Sequence, residues 1–235
     1  MKKDAFSPFL AVNPKSYYYG KQALDLALAC DEIMNDTGVT IFFTCPFTDI
    51  RMIKEKTKHI KVTAQGMESL RPGRGIGHIL PESLKEAGAD AVFLNHAENP
   101  LTVSELYRTM QRAKELDILT IVCADSVMEG RAIAEFKPDI LLCEPTDLIG
   151  TGKTAGTDYI EDTVKTIREA NEEIGIMIAS GITTADDCYR VVRLGADGTG
   201  ATSGIVKAED PKKRVREMCE AIMKAHQEKE AEGKA

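Results

Sequence analysis

Short apolar runs alternate with longer amphipathic stretches along nearly the whole chain. The runs are rich in β-branched residues, and several are apolar at nearly every position. This pattern is typical of strands that are buried on both faces of a parallel sheet. Eight such runs are present, at residues 9–12, 40–44, 60–64, 91–94, 119–124, 140–143, 175–179 and 198–201.

The stretches between these runs repeat apolar residues at the spacing of one helix face. The clearest example has apolar residues at positions 103, 106, 107, 110 and 113. Thr102 and Glu105 predict a capping box at the start of this helix. The final helix shows the same periodicity at positions 215, 218, 219 and 222, and the charged tail, about 227–235, is predicted to fray.

Eight strand-then-helix units in 235 residues predict a single α/β domain over residues 1–235, closed as a (β/α)8 barrel. An open, doubly wound sheet is the alternative architecture. It is less favoured because no glycine-rich dinucleotide fingerprint follows the first strand.

The net negative charge of the chain disfavours some kinds of binding partner. A net charge of −7 and a pI near 5.3 argue against nucleic acid and against an anionic membrane surface. The apolar runs are far too short to span a bilayer, and no extended apolar segment follows the first residues as in a signal peptide. The six cysteines form no C-x-x-C pair, which favours free, buried thiols in the cytoplasm.

Polar residues follow the predicted strands, at the end of a barrel where active sites lie. Asn13 and Lys15 follow the first strand, residues 95–98 follow the fourth, and Glu144 follows the sixth. Small residues follow the seventh and eighth strands, at 180–181 and 202–204. If the barrel closes, a cation, an imidazole, a carboxylate and two anion-binding loops converge on one mouth.

Glu144 is the most suggestive of these residues, because it ends a buried run abruptly. A carboxylate in such a place is poorly solvated, which raises its pKa toward the range of a general base. The segment that follows contains Gly-Thr-Gly at 150–152 and could form a mobile lid. These features predict acid–base chemistry beneath a loop.

Taken together, these segments resemble the triosephosphate isomerase family, most closely its shorter archaeal-type branch, over residues 11–211. The strongest matches are Leu-Asn-His-Ala-Glu at 94–98, Glu-Pro-Thr-Asp-Leu-Ile-Gly-Thr-Gly at 144–152, and Gly-Ala-Asp-Gly through Ser-Gly-Ile-Val-Lys-Ala-Glu-Asp-Pro at 195–211. The resemblance implies a TIM barrel that interconverts glyceraldehyde 3-phosphate and dihydroxyacetone phosphate through an enediol. It also implies a small phosphorylated sugar as substrate, no cofactor or metal, and a homodimer or homotetramer.

The resemblance also assigns roles to individual residues. It implies that Glu144 is the base, that His96 is the electrophile, that Lys15 and Asn13 polarise the substrate, and that Glu98 supports the site. It also implies backbone donors to the phosphate at Gly181, Thr202 and Ser203. Ile149 and Gly150 are implied to bind the phosphate as part of the lid that closes over it.

The chain departs from the family pattern at supporting positions, namely Pro14, Ile76, Ala97 and Asn99. Retained catalytic residue types with changed surroundings leave two alternatives open. One is the same chemistry on a related, four-carbon ketose phosphate. The other is a barrel that binds sugar phosphates without catalysis, although such a protein has no reason to keep the base, the imidazole and the cation.

Overall fold

The predicted strands close into a barrel. A computed structural model of the protein describes residues 5–145, 156–179 and 181–233. The strands are β1 (Phe9–Val12), β2 (Thr40–Cys45), β3 (Lys61–Ala64), β4 (Ala91–Leu94), β5 (Leu119–Ala124), β6 (Ile140–Cys143), β7 (Gly175–Ile178) and β8 (Gly198–Ala201). Each pairs in parallel with its neighbour in sequence, and β8 pairs with β1. The predicted barrel is confirmed, and no strand bound differs from the prediction by more than one residue.

Helices follow the strands and cover the outside of the barrel. They are α1 (Gly20–Thr37), α2 (Ile50–Lys54), α3 (Pro81–Ala87), α4 (Val103–Glu115), α5 (Val127–Ala134), α6 (Thr157–Ala170), α7 (Ala185–Arg193), α8 (Ser203–Val206) and α9 (Pro211–Ala231), with a 3₁₀ turn at Phe47–Asp49 before α2. The short α8 stands directly after β8, before the long α9.

The predicted capping box of α4 is only half formed. The Thr102 hydroxyl accepts a hydrogen bond from the Glu105 backbone N–H at 3.2 Å. The Glu105 carboxylate does not return the contact, because it accepts from the Ser69 backbone N–H at 3.2 Å and from Arg108 at 2.5 Å. Glu105 therefore ties the loop after β3 to α4, which a local sequence pattern does not reveal.

Helix α9 continues to Ala231, past the point where the sequence predicts fraying. Tertiary contacts hold its last turns. The buried Lys229 ammonium donates to the Ala196 carbonyl at 3.4 Å, and Arg193 donates to Glu232 at 2.8 Å. The prediction failed because charged side chains here pack against α7 and the loop before β8.

The apolar core has two layers, as the alternation of side chains along a strand requires. On β1, Leu10 and Val12 belong to the large cluster between the strands and the helices. Phe9 and Ala11 belong to a smaller cluster, with strand residues of β2, β4, β5, β6 and β7, that fills the barrel interior. The interior is therefore packed, and only its carboxyl-terminal end is left open for a site.

An aromatic cluster closes the amino-terminal end of this interior. The rings of Phe6, Phe9 and Phe42 meet edge to face, with centroids 5.7–6.0 Å apart. Gly198 on β8 makes room for this cluster, since a Cβ atom there would lie 2.4 Å from the Phe9 ring.

Aspartates pin the opposite end of the barrel from the predicted site. Asp90, Asp139 and Asp197 each stand immediately before an even-numbered strand. Each carboxylate accepts a hydrogen bond from the backbone N–H of the second residue of the preceding strand, namely Val62, Thr120 and Ile176 respectively, at 2.7–2.9 Å. Lys54 and Arg168 neutralise the first and the third carboxylate. These contacts fix the floor of the barrel and leave the mouth to carry chemistry.

Candidate active site

A cavity of about 190 Å³ opens at the carboxyl-terminal mouth of the barrel. Apolar side chains of the interior cluster form its floor. Its walls bring together eight residues predicted from the sequence: Asn13, Lys15, His96, Glu98, Glu144, Gly181, Thr202 and Ser203. The predicted Ile149 and Gly150 lie outside the described residues, as does most of the predicted lid.

Lys15 extends into this cavity from an unusual backbone conformation. Its φ of 48° is left-handed, which costs a residue with a side chain on the order of 1–3 kcal/mol. Two contacts hold the conformation: the Lys15 N–H donates to Asn13 Oδ1 at 3.0 Å, and Gln65 Nε2 donates to the Lys15 carbonyl at 2.9 Å. The ends of β1 and β3 thus jointly aim this ammonium group.

The Lys15 ammonium pairs with Glu98 across the mouth. Nζ lies 2.5 Å from Glu98 Oε1, with the lysine side chain 20% exposed and the glutamate side chain 63% exposed. The hydrogen bond from Lys15 holds the pKa of Glu98 below its usual value. Because the Glu98 side chain is well solvated, the ion pair orients the Lys15 ammonium group but contributes little to stability.

The His96 ring has a defined tautomer. Its Nδ1 accepts a hydrogen bond from the Glu98 backbone N–H at 3.1 Å, so the neutral ring carries its proton on Nε2. Burial lowers the pKa of His96 below its ordinary value, the Lys15 charge lowers it further, and the Glu98 carboxylate opposes the shift. At neutral pH the residue is a neutral hydrogen-bond donor.

Glu144 stands across the mouth from Lys15, at the end of β6. Its backbone N–H donates to the Ala124 carbonyl at 3.0 Å, which extends the pairing of β5 and β6 by one residue. The side chain is half-buried and lines the cavity. Burial and nearby groups, Glu144 among them, raise the pKa of Tyr159 to about 12. Glu144 is therefore a half-buried residue whose carboxyl group shares a cavity with an imidazole and a cation.

Backbone from the ends of β7 and β8 forms the remaining wall. Gly181 has a φ of 69°, Thr202 is the N-cap of α8, and Ser203 is its first residue. Gly204 lets the two loops approach closely, since a Cβ atom there would lie 2.6 Å from the Ile182 carbonyl oxygen. Arg214 then joins the loops by donating to the Thr183 and Gly204 carbonyls. The result is a wall of small residues, Gly181, Thr202 and Ser203, on one side of the cavity.

Sequence reasoning missed contributors to this site. Tyr17, which is 60% exposed, lines the cavity beside Lys15. The run of three tyrosines at 17–19 in a loop directly after a catalytic-type lysine was the available signal. Arg214 gave no signal, because a single arginine near the start of a charged helix is unremarkable.

The positions that depart from the family pattern lie around the site. Pro14 is buried, and Ala97 is exposed. Asn99 packs near Gly66, where a Cβ atom would lie 3.3 Å from Asn99 Nδ2. The Ile76 side chain is fully exposed on the long loop between β3 and α3. None of these changes disturbs the grouping of Lys15 with the other polar residues.

Residues 5–145, 156–179 and 181–233 contain no group of three or more His, Cys, Asp or Glu side chains that could hold a metal ion. Within the same ranges, no helix combines the length and the apolar character needed to cross a bilayer.

The closed barrel and its mouth define a class of protein. A carboxyl group, a neutral imidazole and a cation line one cavity at the carboxyl-terminal mouth of the barrel, where barrel enzymes hold their active sites. The sequence model of the triosephosphate isomerase family matches residues 8–222. The chain belongs to the triosephosphate isomerase family.

Individual relatives agree with this assignment. The chain is 32% identical to the triosephosphate isomerase of Methanocaldococcus jannaschii, over 91% of its own length and 99% of that protein. It is 34% identical to the triosephosphate isomerase of Methanopyrus kandleri, over 92% and 98% of the two chains. The corresponding protein of Methanobrevibacter smithii is 34% identical over 90% and 97%. The predicted resemblance to the archaeal branch is confirmed.

Proposed function

We propose that this protein interconverts glyceraldehyde 3-phosphate and dihydroxyacetone phosphate, with Glu144 as the base. The reaction moves a carbonyl group between adjacent carbons, so a proton must leave one carbon and return to the other. One carboxylate can perform both transfers through an enediol, and no external oxidant or reductant is needed. The half-buried position of Glu144 at the mouth supports this role, since partial desolvation strengthens a carboxylate base.

His96, Lys15 and Asn13 stabilise the charge that develops on the substrate oxygens. An enediolate needs donors that already point at it, because reorienting solvent during the reaction is costly. The N–H at His96 Nε2 and the Lys15 ammonium supply two such donors, and Asn13 positions the Lys15 backbone. Triosephosphate isomerase is itself the familiar example of a glutamate base paired with a neutral histidine.

The phosphate binds at the opposite wall and acts as a handle. Backbone N–H groups at Gly181, Thr202 and Ser203 suit a dianion, and the close approach of these two loops supports the assignment. Ile149 and Gly150, from the predicted lid, complete the phosphate site in this proposal. Binding energy at the handle then orients the reacting carbons and excludes water from them.

The orientation of the His96 ring is the observation that carries the proposal. A ring turned the other way would present an acceptor nitrogen to the enediolate, whereas Nδ1 here accepts the Glu98 N–H and leaves the Nε2 N–H free to donate. The test measures conversion of dihydroxyacetone phosphate with an excess of coupling dehydrogenase. We expect steady turnover above 1 s⁻¹, roughly the lower bound of typical enzymes. Binding of 2-phosphoglycolate by calorimetry without any turnover would instead identify a barrel that binds sugar phosphates without catalysis.

We also propose that the protein works as a homodimer or homotetramer in the cytoplasm. The resemblance to the family implies such an assembly, and the fully exposed Ile76, on the loop between β3 and α3, is a position at which it can be tested. The six cysteines are free and buried, which supports a reducing compartment. Light scattering of the parent and of Ile76→Asp tests the assembly: a monomeric parent would contradict it.

A further inference from the structure

A second cavity, of about 260 Å³, adjoins the candidate active site at the ends of β4, β5 and β6. We call it the distal cavity. Its walls include His96, Ala97, Cys123, Asp125, Glu129 and Glu144. His96 and Glu144 also line the first cavity, so the two spaces meet at the pair that we assign to proton transfer.

The distal cavity is preformed, because hydrogen bonds lock its walls. Asn95 has a left-handed φ of 57°, and its Nδ2 donates to Glu129 Oε1 at 3.2 Å and to the Cys123 carbonyl at 3.0 Å. Its Oδ1 accepts from the Leu101 N–H at 3.0 Å. The Asp125 N–H donates to Glu129 Oε2 at 2.8 Å. These contacts join the ends of β4 and β5 directly behind His96.

The side chains that line the distal cavity suit a carbon atom that bears a hydroxyl group. Ala97 contributes only a methyl group, which leaves space beside the imidazole. The exposed Asp125 carboxylate and the half-buried Glu129 carboxyl group can accept hydrogen bonds from hydroxyls. Burial, together with contact from Asp125, raises the pKa of Glu129. A hydroxymethyl group would find both an apolar wall and acceptors here.

The strand order places this cavity beyond the reacting carbons. The proposed phosphate donors follow β7 and β8, whereas the distal cavity lies over β4 to β6. Glu144 and His96 stand between the two regions, since they line both spaces. A substrate held by its phosphate, with its reacting carbons at this pair, therefore directs its far end toward the distal cavity.

We propose that the distal cavity is a subsite for one further carbon, so that the enzyme also accepts four-carbon ketose 4-phosphates. This inference rests on the proposed function. The fixed phosphate handle determines the reaction: the C3–H proton passes to Glu144, an enediol forms between C2 and C3, and the proton returns at C2. The carbonyl thus moves between C2 and C3, and C1 occupies the distal cavity as a hydroxymethyl group. Atoms and electrons balance within the substrate, as they do for the triose.

Proton exchange in D₂O tests this directly. The parent protein is incubated with D-erythrulose 4-phosphate, and loss of the C3–H signal is followed by NMR beside C1–H loss from dihydroxyacetone phosphate. We expect enzyme-dependent exchange on both. In Ala97→Leu the larger side chain fills the distal cavity, and the ratio of four-carbon to three-carbon exchange rates should fall at least about tenfold. Ala231→Leu, the same change at an exposed position of α9, should leave the ratio unchanged.

A measurement of binding tests the subsite without requiring turnover. The inhibition constants of D-erythritol 4-phosphate and sn-glycerol 3-phosphate are compared in the parent and in Asp125→Ala. We expect the four-carbon compound to bind the parent at least as tightly as the three-carbon one, and to lose affinity selectively in Asp125→Ala.

The results separate this inference from the function on which it rests. Exchange on the triose without exchange on the tetrulose overturns the subsite and leaves the proposed function standing. An unchanged rate ratio in Ala97→Leu overturns it as well. Absence of exchange on both substrates contradicts the proposed function itself, and an equal loss of affinity for both inhibitors in Asp125→Ala overturns the subsite.

Discussion

Lys15→Met separates the chemical role of the cation from its structural role. In the structure, Lys15 pairs with a Glu98 side chain that is 63% exposed, and such a solvated pair contributes about 0–1 kcal/mol to stability. The backbone strain at φ 48° is the same for methionine. The loss of a donor aimed at developing charge, by contrast, costs about 10²–10³-fold in rate, or roughly 3–4 kcal/mol. We therefore expect a folded protein with kcat/KM reduced by this factor.

The assay pairs coupled kinetics in both directions with urea denaturation. Lys21→Met is the matched control, because Lys21 is an exposed lysine on the adjacent α1 that does not line the cavity. It should keep parental kinetics and stability. If Lys15→Met kept kcat/KM within threefold of the parent, the Lys15 cation would not stabilise the transition state. The role proposed for Lys15 would then be refuted.

Three further predictions concern titration and stability. Folding lowers the pKa of His96, so between its folded pKa and about 6.5 the unfolded chain binds more protons than the folded one, and stability rises with pH across that window. NMR titration of the folded protein should place this pKa below 6.5, and His96→Gln should remove the contribution of this residue to the rise in stability. Asp197→Ala removes a buried acceptor from its backbone and guanidinium donors, so we expect the free energy of unfolding in urea to fall by about 3 kcal/mol. The exposed control Asp162→Ala should cost under about 0.5 kcal/mol, and equal unfolding midpoints for the two variants would contradict a stabilising role for the Asp197 contacts. Gly198→Ala should destabilise by about 1–3 kcal/mol or more, since its methyl group would overlap the Phe9 ring, and an unchanged thermal midpoint would show that the barrel floor can yield.

The strands were predictable because their physics is local. A run such as Ile140–Cys143 is apolar throughout, and a short apolar run of this kind is typical of a strand buried on both faces of a parallel sheet. Once eight such runs are placed in order, the polar residues that follow them identify the mouth. Roles for Glu144 and His96 came from the family resemblance, while the grouping itself came from the strand ends.

The remaining features depend on partners distant in sequence. Glu105 has the right spacing for a capping box, yet a backbone N–H from the loop after β3 recruits its carboxylate instead. Lys229 lies in the last turns of α9, where its ammonium group donates a hydrogen bond to the Ala196 carbonyl before β8. The sequence does not distinguish Asp90 and Asp197 from other loop aspartates, because the backbone N–H that each accepts belongs to a neighbouring strand of the folded barrel. The distal cavity likewise exists only when β4, β5 and β6 stand side by side.

Proton exchange by Glu144→Gln tests the central claim most directly. The amide is nearly isosteric with the carboxylate but cannot take the substrate proton. In D₂O, the parent should wash deuterium into C1 of dihydroxyacetone phosphate, and Glu144→Gln should do so at least about a hundredfold more slowly while still binding 2-phosphoglycolate. Exchange at the parental rate in a folded Glu144→Gln protein would contradict the account, because the proton would then leave through a different group.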